Sequence, residues 1–207
     1  MNKVTNIKVK KTKPVKGRKN VEKRLINSAA ELVGSIGPNQ LTIRDIADHA
    51  GVNHAQIHHY FGGKQGLLIA TYKQLAFEHV EQLERRKISP ENLGNEPLAD
   101  ITDNYFRAII RAVLDGNMDL AMIQVDSNLS MSQQTLNRLT KLLNLKKPNS
   151  EAKAAIAIVM IVEFGLASMR PYIEEVLELN NKDNDVFMKL FFEARELGLQ
   201  KVLKNNK

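Results

Sequence analysis

His54, Gln56, His58, His59, Tyr60 and Lys64 fall close together in the chain, with Asn53 and Ala55 beside them and Thr42 and Arg44 shortly before. The set is rich in hydrogen-bonding and cationic groups and holds no acid from Asn53 to Lys64. Such side chains suit duplex DNA: a Gln amide pairs with adenine N6 and N7, an Arg with guanine O6 and N7, and hydroxyl and cationic groups meet phosphate oxygens. His54 and His58, at i and i+4, also have the spacing of a helical metal pair. No carboxylate stands next to them, and DNA contact accounts for both. Catalytic chemistry is poorly supplied. The chain has no cysteine, which removes thiolate zinc sites and cysteine nucleophiles, and no acid–base pair, phosphate loop or metal-ligand cluster is legible. The expectation is a binding protein that is not an enzyme and uses no cofactor or metal.

Reading DNA requires a rigid carrier, and the pattern around these residues supplies one. Val21, Leu25, Ala29, Leu32, Val33 and Ile36 form one stripe of a first helix, which Gly37 and Pro38 should stop with a left-handed cap. Thr42 caps a second helix with Asp45 three places on, and Ile43, Ile46, Ala47 and Ala50 are its buried face. Gly51 ends it. Asn53 is placed to cap a third helix, about 54–61, with Gln56 reaching back to complete a second capping box, and Gly62 and Gly63 break the chain again. Two short helices joined by a tight Gly-containing turn make a helix-turn-helix, whose last helix enters the major groove.

The stretch LTIRDIADHAGVNHAQIHHYFGGKQGLL, residues 41–68, resembles the DNA-binding signature of the TetR (tetracycline-repressor) family. The likeness rests on the Thr-x-x-Asp-Ile-Ala core, the Ala-Gly-Val turn, the Tyr-Phe pair and the Gly-Lys-x-x-Leu-Leu start of the fourth helix, and it covers about 50 residues, Val21 to Tyr72. It implies that Thr42, Tyr60, His58 and Lys64 hold phosphates, and that Arg44 reads a base or binds phosphate. His54, Ala55 and Gln56 then meet base edges, with Asn53 and His59 beside them. Two departures matter. His54 stands where Ser, Lys or Arg is frequent, and His58-His59 replaces a Tyr-rich pair, so an operator cannot be carried over from relatives.

Apolar residues recur at helical spacing almost throughout and strand-like alternation persists nowhere, so the fold class is all-α. Further helices are expected over 97–114, 118–126, 131–145, 150–169 and 184–204, with Pro171 kinking or breaking the chain. Residues 1–19 carry eight basic side chains and no acid, against a chain net charge of +7, so all the excess charge sits in one arm. Such an arm is either a solvated tail or a ligand of the minor groove or backbone. The layout is a disordered basic arm over 1–19, a DNA-binding domain over 20–79 with its motif at about 42–61, and a helical ligand-binding and dimerisation domain over 80–207.

In the second domain Tyr105, Arg107, Arg111, Gln124 and Glu163 are polar groups on otherwise apolar helices, and Tyr105, Gln124 and Glu163 are the candidate ligand residues. The longest apolar run, Ala154 to Val162, falls short of the roughly 20 residues of a membrane span, so no membrane partner is expected and the location is cytoplasmic, at the nucleoid. The resemblance implies a homodimer joined through the last two long helices, bound to a near-palindromic operator. It also implies repression relieved by a small, largely apolar effector. A DNA-binding chromosome-organising or division-coupled factor, with a protein partner for its second domain, remains the alternative.

Overall fold

In the computed structural model, which describes residues 17–88, 98 and 104–205, every regular element is an α-helix and no strand occurs among the described residues. Helix α1 (Arg18–Ile36) buries Leu25, Ala29 and Val33, as its stripe requires. It begins inside the segment assigned to the arm: Arg18 Nε donates to Glu22 Oε1 at 2.8 Å, an i,i+4 pair that supports a helical first turn. The rest of the expected arm, 1–16, lies outside the described residues. Gly37 has φ 87° and ψ 155°, a positive φ with an extended ψ, where a left-handed helical cap was expected.

Helix α2 (Ile43–Ala50) carries the expected capping box in full. The Thr42 hydroxyl accepts from Asp45 N–H, and the Asp45 carboxylate accepts from Thr42 N–H at 2.9 Å. Gly51 ends the helix in the left-handed region, φ 62° and ψ 41°, and the Arg24 guanidinium of α1 donates to the Ala50 carbonyl, placing a cation at the negative end of the α2 dipole. Helix α3 (Ala55–Phe61) and the 22-residue α4 (Lys64–Arg85) follow.

The remaining elements are α5 (Asn104–Leu114), α6 (Met118–Asp126), α7 (Met131–Leu142), α8 (Ser150–Val176) and α9 (Asn181–Asn205). Three expectations are corrected here. The first concerns α8, expected over 150–169, which is not broken at Pro171 and continues to Val176. That ring is exposed, and the one hydrogen bond it forfeits is carried by a helix packed along its length on α9. In the second, α9 starts three residues early, because Asn180 caps it by accepting from Lys182 N–H at 2.9 Å, while Asp183 accepts from Asn180 N–H at 3.1 Å. The third is that α8 is long and apolar enough, by length and composition, to cross a membrane, since the run that stops at Glu163 resumes beyond it. The start of the expected helix at 97 falls mostly outside the described residues.

One buried core joins both halves. Leu25, Ile46, Ile57, Leu67, Tyr72, Ala108 and Leu120 belong to it, with α1 packed on α5 and α4 on α6. The expected boundary at residue 79 therefore falls within a continuous helix. A smaller core of Leu139, Ala152, Ala155 and Ile156 joins α7 to α8. Between α8 and α9 the buried Glu163 and Arg195 pair at 2.8 Å, and the second Glu163 oxygen accepts from Leu98 N–H at 2.9 Å.

Candidate nucleic-acid interface

The orientation of α3 is fixed from behind. Ile57 is fully buried, and Val52, Tyr60 and Phe61 pack against the core. Asn53 Oδ1 accepts from Ala55 N–H at 2.8 Å, so half of the expected capping arrangement forms. The half-buried Gln56 donates its backbone N–H to the Asn53 carbonyl at 3.0 Å, but its side chain makes no hydrogen bond among the described residues, so the second capping box is absent. His54 begins the turn with helical angles, φ −57° and ψ −27°.

The close approach of α3 to α4 depends on Gly66. A Cβ there would lie 3.0 Å from the Phe61 carbonyl carbon and far inside van der Waals contact of its oxygen, so no side chain fits. Gly66 was part of the quoted motif, but its steric role could not be read from sequence, because the clashing atom belongs to the preceding helix.

The outer surface gathers most of the expected contacts. Thr42, Arg44, His54, His58 and Lys64 line one shallow groove together with Asn39, which no local pattern had singled out. The side chains of Arg44, His54 and His58 are exposed and make no hydrogen bond among the described residues. Lys64, the first residue of α4, stands at the positive end of that helix dipole and donates from Nζ to the Asn39 carbonyl at 3.3 Å. The Thr42 hydroxyl is less available: it donates to Asp45 Oδ2 at 2.6 Å, so binding phosphate requires that proton to turn away. This bond, followed by the Thr42 N–H, holds the Asp45 carboxyl below its ordinary value.

Ala55 and His59 are exposed on α3, and Tyr60 is half-buried, with its ring 4.9 Å from that of His59 and under the Arg18 guanidinium at 5.5 Å. These three lie outside the groove lining, farther along the same helix. The arrangement can bind two kinds of group: anions along the groove, and a base edge in front of His54 and Gln56.

The three residues expected to meet a ligand also converge. Tyr105, Gln124 and Glu163 line one cavity with His79, Phe106 and Phe164, while Arg107 and Arg111 stay on the surface. The Tyr105 hydroxyl donates to Gln124 Oε1, and the Tyr105 ring stacks on His79 at 4.3 Å. The cavity has room for only about 30 Å³, the scale of a water molecule or two. Glu163 is taken up by Arg195 and Leu98, so it braces the cavity wall. Arg195 itself was missed, since it carries no local sign of burial.

Residues 25–71 match the domain described as bacterial regulatory proteins, tetR family. The HTH-type transcriptional regulator BetI 2 of Chromohalobacter salexigens is 33% identical over 100 residues, which are 48% of this chain and 43% of that protein. The match thus spans less than half the length of that relative. An HTH-type transcriptional repressor of Mycobacterium tuberculosis is 25% identical over 173 residues, 82% of this chain and 84% of its own. Among solved structures, a tetR-family transcriptional regulator from Streptomyces coelicolor superposes with a TM-score of 0.53 at 15% identity, over 92% of this chain and 90% of its own. A mutant HlyIIR protein gives 0.57 at 16% identity over 86% and 98%. These two likenesses concern the fold.

Proposed function

The chain belongs to the tetR family of bacterial regulatory proteins, and from that premise we propose that it is a homodimeric repressor that binds a near-palindromic operator and is released by a small, largely apolar ligand. The observation that carries the reading is the convergence of Thr42, Arg44, His54, His58 and Lys64 on one groove, while the Gln56 side chain on the same helix as His58 makes no hydrogen bond among the described residues. In this reading Arg44, His58 and Lys64 anchor phosphates, Thr42 and Tyr60 add hydroxyl contacts, and His54, Ala55 and Gln56 meet base edges, flanked by Asn53 and His59. It acts in the cytoplasm, at the nucleoid.

Dimerisation is supported by the apolar side chains left exposed on α8 and α9, among them Ile158, Ile161, Tyr172, Val186, Leu190 and Leu197. A monomer rarely leaves so continuous an apolar surface uncovered. A two-fold axis through it sets the readers at one or more DNA turns, about 34 Å each.

Release follows from the cavity. Ligand pockets usually enclose about 300 Å³ or more, so an occupant must part Tyr105 from Gln124 and push α5 and α6 away from α4 and α8. The free energy available for moving the readers is the difference in ligand affinity between the two arrangements.

The test is selection of duplexes from a randomised pool by the purified protein, followed by anisotropy titration of the recovered sequence. A two-fold symmetric site is expected, and His54→Ala with Gln56→Ala should change which bases are preferred. Recovery of no sequence above random duplex would end the reading.

A further inference from the structure

The groove is fastened from behind by residues that lie far away in sequence. Asn39, at its edge, has all its hydrogen-bonding groups engaged. Its backbone N–H donates to Asp115 Oδ2 at 3.0 Å and its side-chain amide donates to the Asp115 carbonyl at 2.9 Å. Its side-chain oxygen accepts from Asn117 Nδ2 at 2.6 Å, and its backbone carbonyl accepts from Lys64 Nζ at 3.3 Å. Asp115 and Asn117 belong to the turn between α5 and α6, held by Asp115 N–H to Arg111 O and Asn117 N–H to Ala112 O.

A second feature is built around the same contact. A Cβ on Gly37 would stand 2.7 Å from Asp115 Oδ2, so the absence of a side chain at position 37 is what admits the carboxylate. The carboxylate also acts inward: the Tyr72 phenol, which donates to Ala108 O at 2.9 Å, is pushed up by burial and then by the Asp115 charge. An acid one residue removed from a phosphate-binding surface works against DNA by charge alone. Its presence there calls for a compensating structural role.

We propose that Asp115, assisted by Asn117, is a positioning residue for DNA binding: it clasps the α1–α2 turn through Asn39 and thereby holds Lys64 at the rim of the groove. The inference rests on the reading of Lys64 as a phosphate anchor. A lysine ammonium has three donors on a flexible stem. One is fixed on the Asn39 carbonyl, which aims the other two outward and spares the ordering of that stem when phosphate arrives.

Charge and clasp predict opposite signs. If Asp115 were only a negative charge near DNA, Asp115→Ala and Asp115→Asn would both bind more tightly. If it is a clasp, Asp115→Asn keeps an acceptor for the Asn39 N–H and binds as wild type or better, while Asp115→Ala binds about fivefold more weakly, the loss of one hydrogen bond. The duplex recovered by the wild-type protein is titrated at several salt concentrations with these variants, with Lys64→Ala, and with Asp115→Ala/Lys64→Ala. Because the clasp acts through Lys64, the double variant should bind within about twofold of Lys64→Ala alone.

Asn117→Ala, which removes a single side chain from a partly exposed turn, should show a smaller loss with the same dependence on Lys64, and thermal melts restrict the comparison to folded variants. Tighter or unchanged binding by Asp115→Ala overturns the clasp, as does a full Asp115→Ala effect in the Lys64→Ala background. If Lys64→Ala alone leaves affinity and salt dependence unchanged, the phosphate anchor itself falls, and the clasp with it.

Discussion

Replacing Gly66 with alanine should destabilise the protein and abolish its reader, although general helix chemistry argues for the reverse. Gly66 lies in the first turn of α4, and exchanging glycine for alanine within a helix ordinarily gains up to about 1 kcal/mol. Here the new methyl meets the Phe61 carbonyl, part of the backbone that ends α3, which cannot rotate aside. Restoring ordinary contact requires α3 and α4 to separate by about 1.5 Å. Overpacking of a rigid site typically costs about 1–3 kcal/mol, and a backbone obstacle falls at the upper end. A net loss of about 2 kcal/mol lowers the melting temperature of a chain of this size by about 4–8 °C. The same separation carries His54 and Gln56 away from the base edges they are proposed to meet, where a bidentate contact is worth about 1–3 kcal/mol of discrimination. Thermal melts by circular dichroism and anisotropy titration of the selected duplex read both effects. A Gly66→Ala protein that melts at or above the wild-type temperature and keeps its affinity would refute the assignment of α3 orientation to this contact.

Three other outcomes follow from the geometry. Arg195→Met or Glu163→Gln strands one side of a buried ion pair and should cost about 3–5 kcal/mol in urea unfolding, whereas Glu163→Leu with Arg195→Met should recover most of it; equal losses in single and double variants would remove the pair from the account of stability. Asp45, whose folded carboxyl lies below the ordinary 3.8, adds stability that is present above that value and drains away as pH falls through its lowered folded value, so melting temperatures from pH 6 to 3 should decline less steeply for Asp45→Asn; parallel curves would show that the cap carries no such linkage. Leu197→Asp and Ile161→Asp, both at positions 70% exposed in the single chain, should leave a folded monomer in sedimentation, and a persisting dimer would move the interface elsewhere.

The reader was legible because its signals are local. Thr42 and Asp45 are three residues apart, Gly51 and Gly62 occupy left-handed positions that few other residues tolerate, and Ile46, Ala47 and Ile57 repeat at the helical period. The all-helical fold was legible for the same reason. What escaped depends on distant partners. Pro171 carries a helix-breaking signal, yet the packing of α8 on α9 outweighs one lost hydrogen bond. Nothing near Asn39 announces Asp115 or Asn117, more than seventy residues away, and nothing near Glu163 announces Arg195. Tyr105, Gln124 and Glu163 could be picked out as polar residues on apolar helices, but their convergence on one cavity, and the diversion of Glu163 into a brace, are properties of tertiary packing.

Two rigid elements run from that cavity to the groove, and they end on the same residue. Helix α4 presents His79 to the cavity and begins with Lys64, a span of about 22 Å at the rise of an α-helix. The α5–α6 hairpin opens at the cavity with Tyr105 and Gln124, hydrogen-bonded to each other, and closes at Asp115 and Asn117. Lys64, Asp115 and Asn117 all bond Asn39. A wedge that parts Tyr105 from Gln124 therefore acts on the open end of a hairpin whose closed end grips the α1–α2 turn, while displacement of His79 acts along α4 on the lysine. Packing of α1 on α5 and of α4 on α6 within one shared core joins the two struts. In the proposed release, that shared attachment is the route from a cavity of about 30 Å³ to Lys64, about 22 Å away along α4.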